Sequence, residues 1–396
     1  MKKFRTYFSS FLMSFIEWFD FLIFIYIFIA FFKSQNDSSI LNAFQQLGII
    51  ISFIARPIGA YVLGLVSLKI GRITSLLYTV KLMMVASFLL IVAAYMTDHL
   101  ILCATIAFIA RFIQGFSIGS ETSSNYMYIY EISKKKATGV AIAGVGVACG
   151  QVLASFAPNL LNGIGSFQDK ILWAYGSSIL LSFVVLYLRK SMPETKDPRY
   201  QNIKQKVSVF KITHEILKAV FPFGFLIYYV LIIFPKHAEQ HYGISKEFSY
   251  YYLTYACLII AFLPLLFASI ADKIGTSKVL TLAIYMTVLF IPLFLLIKDP
   301  FFQITYIAAL NSIHFSVALV RVFNDVGTEQ LYLHFPLIYN VIMAALSSFI
   351  VAFFNSGLEH DHVFLMFLFG IIALHYKHLF FFLFNPKKAQ SKIYGS

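Results

Sequence analysis

The chain has 396 residues, 59% of them hydrophobic and only 12% charged, with a formal net charge of +13. A soluble domain carries about 25% charged residues, so the composition excludes a water-soluble domain. Apolar runs of about 20 residues, the length that crosses a ~30 Å hydrocarbon core, recur from end to end, and the fold class is an all-α polytopic membrane protein.

Spans are predicted at 8–32, 42–67, 74–96, 100–131, 138–160, 171–188, 215–235, 247–270, 278–297, 301–322, 337–355 and 362–384. That makes twelve, six on each side of the polar segment 189–212, which reads as a linker between bundles at 1–188 and 213–396. The first run is too long for a signal peptide's apolar region and lacks a small-residue cleavage site.

Basic residues decide the orientation. Lys2, Lys3, Arg5, Lys69, Arg72, Lys134 to Lys136, the linker, Lys273, Lys278, Lys387, Lys388 and Lys392 all fall in alternate loops, while the intervening loops hold Lys33, Lys170, Lys236, Lys246 and Lys298. This positive-inside bias puts both termini in the cytoplasm and explains the net charge without nucleic acid.

In the first span Ser10, Ser14, Glu17 and Asp20 share one helix face. Two buried acids cost roughly 5–7 kcal/mol and the span's 16 Phe, Leu and Ile residues return about 5–10, so it inserts if the acids face inward. The competing reading is a juxtamembrane tail. Arg56 lies in the second span ahead of Pro57, as a counter-charge for Glu17 or Asp20, an anion ligand, or a snorkelling arginine.

The fourth span carries the strongest signal. Arg111, Gln114, Ser117, Glu121, Asn125, Tyr128 and Glu131 recur every three or four residues, one stripe of a helix. A charged stripe in a membrane must face a cavity or a partner. In the fifth span Ala143, Gly146, Gly150 and Ala154 form a small face for close helix packing.

The halves repeat: GLVSLKIGRI at Gly64 to Ile73 returns as ASIADKIGTS at Ala268 to Ser277, 204 positions later. Shared K-I-G after the second and eighth spans argues for parallel repeats. In the second half Arg321 and Asp325 stand at i,i+4 as an interfacial ion pair, and His314 is a membrane histidine able to titrate or simply to be satisfied. Glu359-His360-Asp361-His362 has the wrong spacing for a tetrahedral helix site. Cys103, Cys149 and Cys257 fall inside apolar spans and read as core residues, not disulfides. No nucleotide, nucleophile or zinc-protease motif is present, so neither enzyme, cofactor nor metal is expected.

These residues resemble the major facilitator superfamily, through R-x-x-Q-G-x-x-x-G (Arg111, Gln114, Gly115, Gly119), the twelve spans and the repeated motif. A closer likeness is to the metabolite:proton symporters, typified by the proline/betaine transporter. It is carried by EWFDF at Glu17, ARPIGA at Ala55, RFIQGFSIGSE at Arg111, Glu131, MPET at Met192 and Tyr339-Asn340. The resemblance implies two six-helix bundles that rock about a central site and import a small solute with protons, acting as a monomer in a bacterial inner membrane. The family's charged positions match Glu17, Asp20, Arg56, Arg111, Glu121 and Glu131 here; proton coupling is expected at Glu17, Asp20 and Glu121 and substrate binding at Arg56, Arg111 and Gln114, with Trp18 and Tyr128 as aromatic candidates for cation–π contact with the solute. Gating falls to Lys69, Gly71, Arg72, Glu131, Asp272, Arg321 and Asp325. A zwitterion such as proline or betaine is the first substrate expected, a dicarboxylate such as 2-oxoglutarate the rival, and a non-transporting receptor or relic the reading from another class.

The chain departs from that pattern. Leu68 replaces the acid that anchors the gate, Thr276 replaces the second copy's arginine, Ser120 stands where a second glycine is usual, and the stretch before Tyr339 is shortened.

Overall fold

The computed structural model describes residues 2–29, 31, 39–161, 163–195, 208–355, 365–367 and 369–375. Much of the linker, the Glu359 to His362 cluster and the lysines beyond position 375 lie outside them.

The described chain is helical throughout. α1 (Lys2–Ile23) passes into a π turn (Phe24–Phe28), followed by α2 (Ser39–Ile70), α3 (Arg72–Ala94), α4 (Leu100–Ile132), α5 (Lys136–Leu160) and α6 (Phe167–Arg189). Then come α7 (Val209–Tyr228), a second π turn (Tyr229–Ile233), α8 (Phe234–Tyr242), α9 (Lys246–Ile274), α10 (Thr276–Leu296), α11 (Pro300–Val326), α12 (Thr328–Asn355) and α13 (Leu365–His375). Ten stretches among the described residues are long and apolar enough to cross a membrane; Thr276–Leu289 and Leu365–His375 are shorter apolar helices.

Contacts divide the chain into two units. The first holds 1–134, 142–208 and 326–341; the second holds 135–141, 209–325 and 342–396. The beginnings of α5 and α12 therefore count with a different unit from the rest of each helix, a finer division than a cut at the linker.

The internal repeat is visible in the backbone. The two π turns begin at Phe24 and Tyr229, 205 positions apart, directly after the first helix of each half. Gly71 and Gly275, from the duplicated K-I-G, both adopt positive φ (93° and 99°) with extended ψ, a region open essentially to glycine alone. Each glycine ends one long helix and starts the next, so the motif encodes a tight reversal.

Within the first unit α2 packs along α4, α3 against α4 and α6, and α1 against α6. The α2–α4 contact is backbone on backbone. A Cβ placed on Gly115 falls 2.2 Å from the Ser52 carbonyl oxygen, and one on Gly119 falls 1.9 Å from that of Arg56. The glycines of R-x-x-Q-G-x-x-x-G are thus packing residues that bring the polar side chains of the two helices together. Gly146 and Gly150 on α5 do the same against the Phe11 and Phe15 carbonyls of α1.

Gly119→Ala is expected to cost about 1–3 kcal/mol through this overpacking, read as a lower melting temperature of the detergent-purified protein. Gly163→Ala, whose added methyl meets nothing within 4 Å, serves as the control and should melt with the wild type. Equal melting of both variants would refute the close approach.

Candidate functional site

The site grows from the α4 stripe. Arg111, Gln114, Ser117, Glu121, Asn125 and Tyr128 are all buried to within 1% exposure. Each meets a different neighbour.

About three turns along the stripe from Arg111, Glu121 is gripped by Arg189 at the end of α6. Arg189 Nη1 donates to Glu121 Oε2 at 2.9 Å and to the Leu76 carbonyl at 2.7 Å, Nη2 donates to Oε1, and the Thr79 hydroxyl adds a further donor. Arg111 and Glu121 do not pair; ten residues apart, they are separated by about 15 Å along the helix.

The two acids of α1 have no such partner. Glu17 accepts from the Thr122 hydroxyl through one oxygen, while Oε2 is buried without a hydrogen bond. Asp20 accepts from Ser87 (2.6 Å) and Ser178, hydroxyls of α3 and α6. Ser10 and Ser14, on the same α1 face, bind Asn125 of α4. The predicted inward face of the first helix is thus bonded to α4 through Ser10, Ser14 and Glu17 and to α3 and α6 through Asp20.

Arg56 and Arg111 are held by rings. The Arg56 guanidinium lies 4.8 Å from the centre of Phe21, 4.6 Å from Phe53 and 6.0 Å from Trp18. Arg111 lies 4.6 Å from the same Phe21 and 4.4 Å from Phe24. Arg111 also donates to Gln114 and, at 3.4 Å, to the Gly48 carbonyl. Among the described residues neither guanidinium is in an ion pair, although Arg56 acts on Glu17 and Arg111 on Asp20 through space. Arg56 Nε, Arg111 Nη2, Trp18 Nε1 and Gln114 Nε2 are buried without a partner. Cation–π contact compensates a buried guanidinium only in part, so this cluster keeps unused hydrogen-bonding capacity.

The remaining expected residues sit elsewhere. Tyr128 is seventeen residues beyond Arg111, about 25 Å along α4; it packs with Ile73, Leu76, Ile129 and Met192 and donates to the Pro193 carbonyl at 3.0 Å. There Arg72 pairs with Glu131, and Glu194 accepts from the Arg72 and Ile73 amides (2.8 and 3.1 Å), capping α3. Lys69 is exposed beside this cluster. In the second unit Asp272 accepts from the Ala137 and Thr138 amides (both 2.9 Å) and the Thr138 hydroxyl (2.6 Å). Arg321 meets Asp325 at 3.2 Å on a partly exposed surface.

Arg189 escaped the sequence reading because it stands at the edge of the linker and counts there as one more basic residue. A signal existed: Ser178, Ser182 and Arg189 share one face of the sixth span, and all three are buried within 1% exposure. Thr79 and Ser87 carried none beyond their polarity, and Glu194 stood in the MPET stretch without a role assigned to it.

A family model, the Major Facilitator Superfamily, matches residues 6–329. A Staphylococcus haemolyticus protein provisionally named a proline/betaine transporter is 28% identical over 297 residues, covering 69% of this chain and 63% of that protein. An Escherichia coli α-ketoglutarate permease is 26% identical, covering 66% and 64%. The matches thus span less than two thirds of these relatives' length. A double-tryptophan mutant of the Escherichia coli xylose transporter XylE superposes with a TM-score of 0.77 at 12% identity, over 96% of this chain and 95% of that one. The chain belongs to the major facilitator superfamily, and the superposition gives its two-bundle helical fold.

Glu121→Gln and Arg189→Gln should each destabilise the protein by about 3–5 kcal/mol, since each strands a buried charge. The double variant should lose less than the two combined, by about 1–3 kcal/mol of coupling. Strict additivity in thermal unfolding would mean the pair does not form.

Proposed function

We propose that this member of the major facilitator superfamily is a secondary active transporter that takes up a small carboxylate-bearing solute together with protons. The observation that carries the reading is the pair of buried guanidiniums, Arg56 and Arg111, which share the Phe21 ring and, among the described residues, have no carboxylate bound to them. A planar carboxylate matches the fork of a guanidinium, and it supplies the charge these groups lack.

Glu121 is occupied by Arg189, so the proton falls to Asp20 and Glu17, which are held by hydroxyls. A hydroxyl rotates to donate or accept as its neighbour gains or loses a proton, whereas a guanidinium only donates. Apart from the Arg72–Glu131 pair, the described interior of the first unit holds three acids (Glu17, Asp20, Glu121) and three arginines (Arg56, Arg111, Arg189). Each carboxylate charge that enters is offset by one proton, so a dicarboxylate calls for two, whereas a zwitterion brings its own cation to the aromatic rings and its carboxylate to the guanidiniums. This offset is a physical reason for carboxylate and proton to travel together, because uncompensated charge in a low dielectric is costly.

A zwitterion of the proline or betaine kind is the first substrate, consistent with the provisional name of the staphylococcal relative. A dicarboxylate is the second, favoured by one observation: Trp18, Phe21, Phe53 and Phe24, the rings that would cage a quaternary ammonium, are already faced by the protein's own guanidiniums. In this reading the protein sits in a bacterial inner membrane with its termini in the cytoplasm, Arg72–Glu131 and Asp272 acting as gate contacts.

Labelled proline, betaine and 2-oxoglutarate offered to proteoliposomes, with and without an inward proton gradient, test the reading. One of them should accumulate only with the gradient. Asp20→Asn should abolish accumulation while leaving exchange of solute across the membrane, and Arg56→Gln or Arg111→Gln should raise KM at least tenfold. Wild-type uptake by either arginine variant would remove the anion site.

A further inference from the structure

The exposed residues of α3 form one stripe: Thr74, Tyr78, Lys81, Val85 and Phe88, at spacings of four, three, four and three. Tyr78, Val85 and Phe88 are 47%, 49% and 58% exposed, as expected of side chains facing lipid. Lys81 stands in the middle of that stripe. A lysine there is anomalous, because a charge on the lipid face of a spanning helix is expensive and needs a compensating group.

Lys81 is nine residues from Arg72 and thirteen from Ala94, about 13 Å and 20 Å along the axis. Its ammonium lies 5.2 Å from the centre of the Tyr78 ring, one turn nearer the Arg72 end. That direction follows from helix geometry, in which side chains lean toward the N-terminus. The lysine therefore reaches along Tyr78 toward the leaflet on the Arg72 side, with the Thr74 hydroxyl one turn further on.

The counter-charge does not come from the chain itself. Among the described residues no carboxylate pairs with Lys81, and the acids at comparable depth, Glu17, Asp20 and Glu121, are all buried. For the same reason the described residues of a second copy offer no exposed acid at that depth. Free phosphate does not enter the hydrocarbon. We propose that Lys81, with Tyr78 and Thr74, binds the headgroup phosphate of an anionic phospholipid in the leaflet adjoining Arg72. The phosphate is drawn inward by the ammonium, as local thinning of the bilayer around a buried cation permits, and the tyrosine ring supports the ammonium from below.

The test uses the full chain reconstituted in nanodiscs of phosphatidylglycerol mixed with phosphatidylcholine, followed by gentle extraction and native mass spectrometry. The wild type should retain one phosphatidylglycerol that survives extraction. Lys81→Leu should lose it, Lys81→Arg should keep it, and Lys190→Leu, which removes an exposed charge at the end of α6, should also keep it. Folding of Lys81→Leu is not in question, because leucine on a lipid-facing position favours insertion. Retention of the same lipid by Lys81→Leu, or equal retention of phosphatidylcholine by the wild type, overturns the proposal. So does a change of oligomeric state in place of lipid loss, which would assign Lys81 to a protein contact.

Discussion

Every buried Asp, Glu, Lys or Arg among the described residues belongs to the first unit. The cost of removing such groups from water is what the rest of that unit is arranged to meet. Arg72–Glu131 closes one end and Arg189–Glu121 the next layer. Beyond these the ion pairs stop, and hydroxyls and aromatic rings take over around Glu17, Asp20, Arg56 and Arg111. The gradation has a physical consequence. A bidentate ion pair in low dielectric resists rearrangement, whereas a carboxylate held by serine and threonine hydroxyls, or a guanidinium lying on a ring, exchanges partners at much lower cost. The first kind of contact builds the bundle and the second leaves it able to work.

How much of this was legible in the sequence depended on whether a residue's partner was local or distant. The α4 stripe could be read because its spacing is set by its own helix, and the buried acid face of α1 for the same reason. The glycines at 115 and 119 were legible as a motif, although their role in letting α2 touch α4 backbone to backbone emerges only in three dimensions. The partner of Glu121 was not legible. Arg111 lay on the same helix and offered itself, while Arg189 lay 68 positions away, at the margin of a basic linker whose other charges disguised it. Tyr128 illustrates the opposite error: it continues the stripe faithfully, yet the stripe is longer than the site, and its far end serves the Arg72 cluster.

The duplicated K-I-G turn separates what a repeat conserves by geometry from what it leaves free. Gly71 and Gly275 share a backbone conformation that other residues reach only with strain, so the turn itself is retained. The acid three positions earlier is present as Asp272 and absent as Leu68. Asp272 accepts three hydrogen bonds at the start of α5, satisfying amides that the first turn of a helix leaves open. At the first copy Glu194, arriving from the segment after α6, caps α3 instead. The two copies therefore differ: the acid of the second turn reaches out to cap α5, 135 positions away, while the first turn has its own following helix capped by Glu194 from a distant part of the chain.

The second unit shows what the interior looks like when the charges are gone. His314 on α11 is fully buried, and its Nε2 lies 2.9 Å from the Thr287 hydroxyl, which itself donates to the Ala283 carbonyl. With the Thr287 hydroxyl donating to the Ala283 carbonyl, its oxygen is left to accept from Nε2, which holds the ring in one orientation. A neutral, oriented imidazole is a far cheaper resident of a hydrocarbon-thick bundle than a carboxylate or a guanidinium. If the two halves arose by duplication, as their shared turns and paired π segments argue, then one copy concentrated the charged chemistry and the other shed it. The charge balance then rests on the helices of the first unit, while the second unit can vary its polar groups without disturbing it.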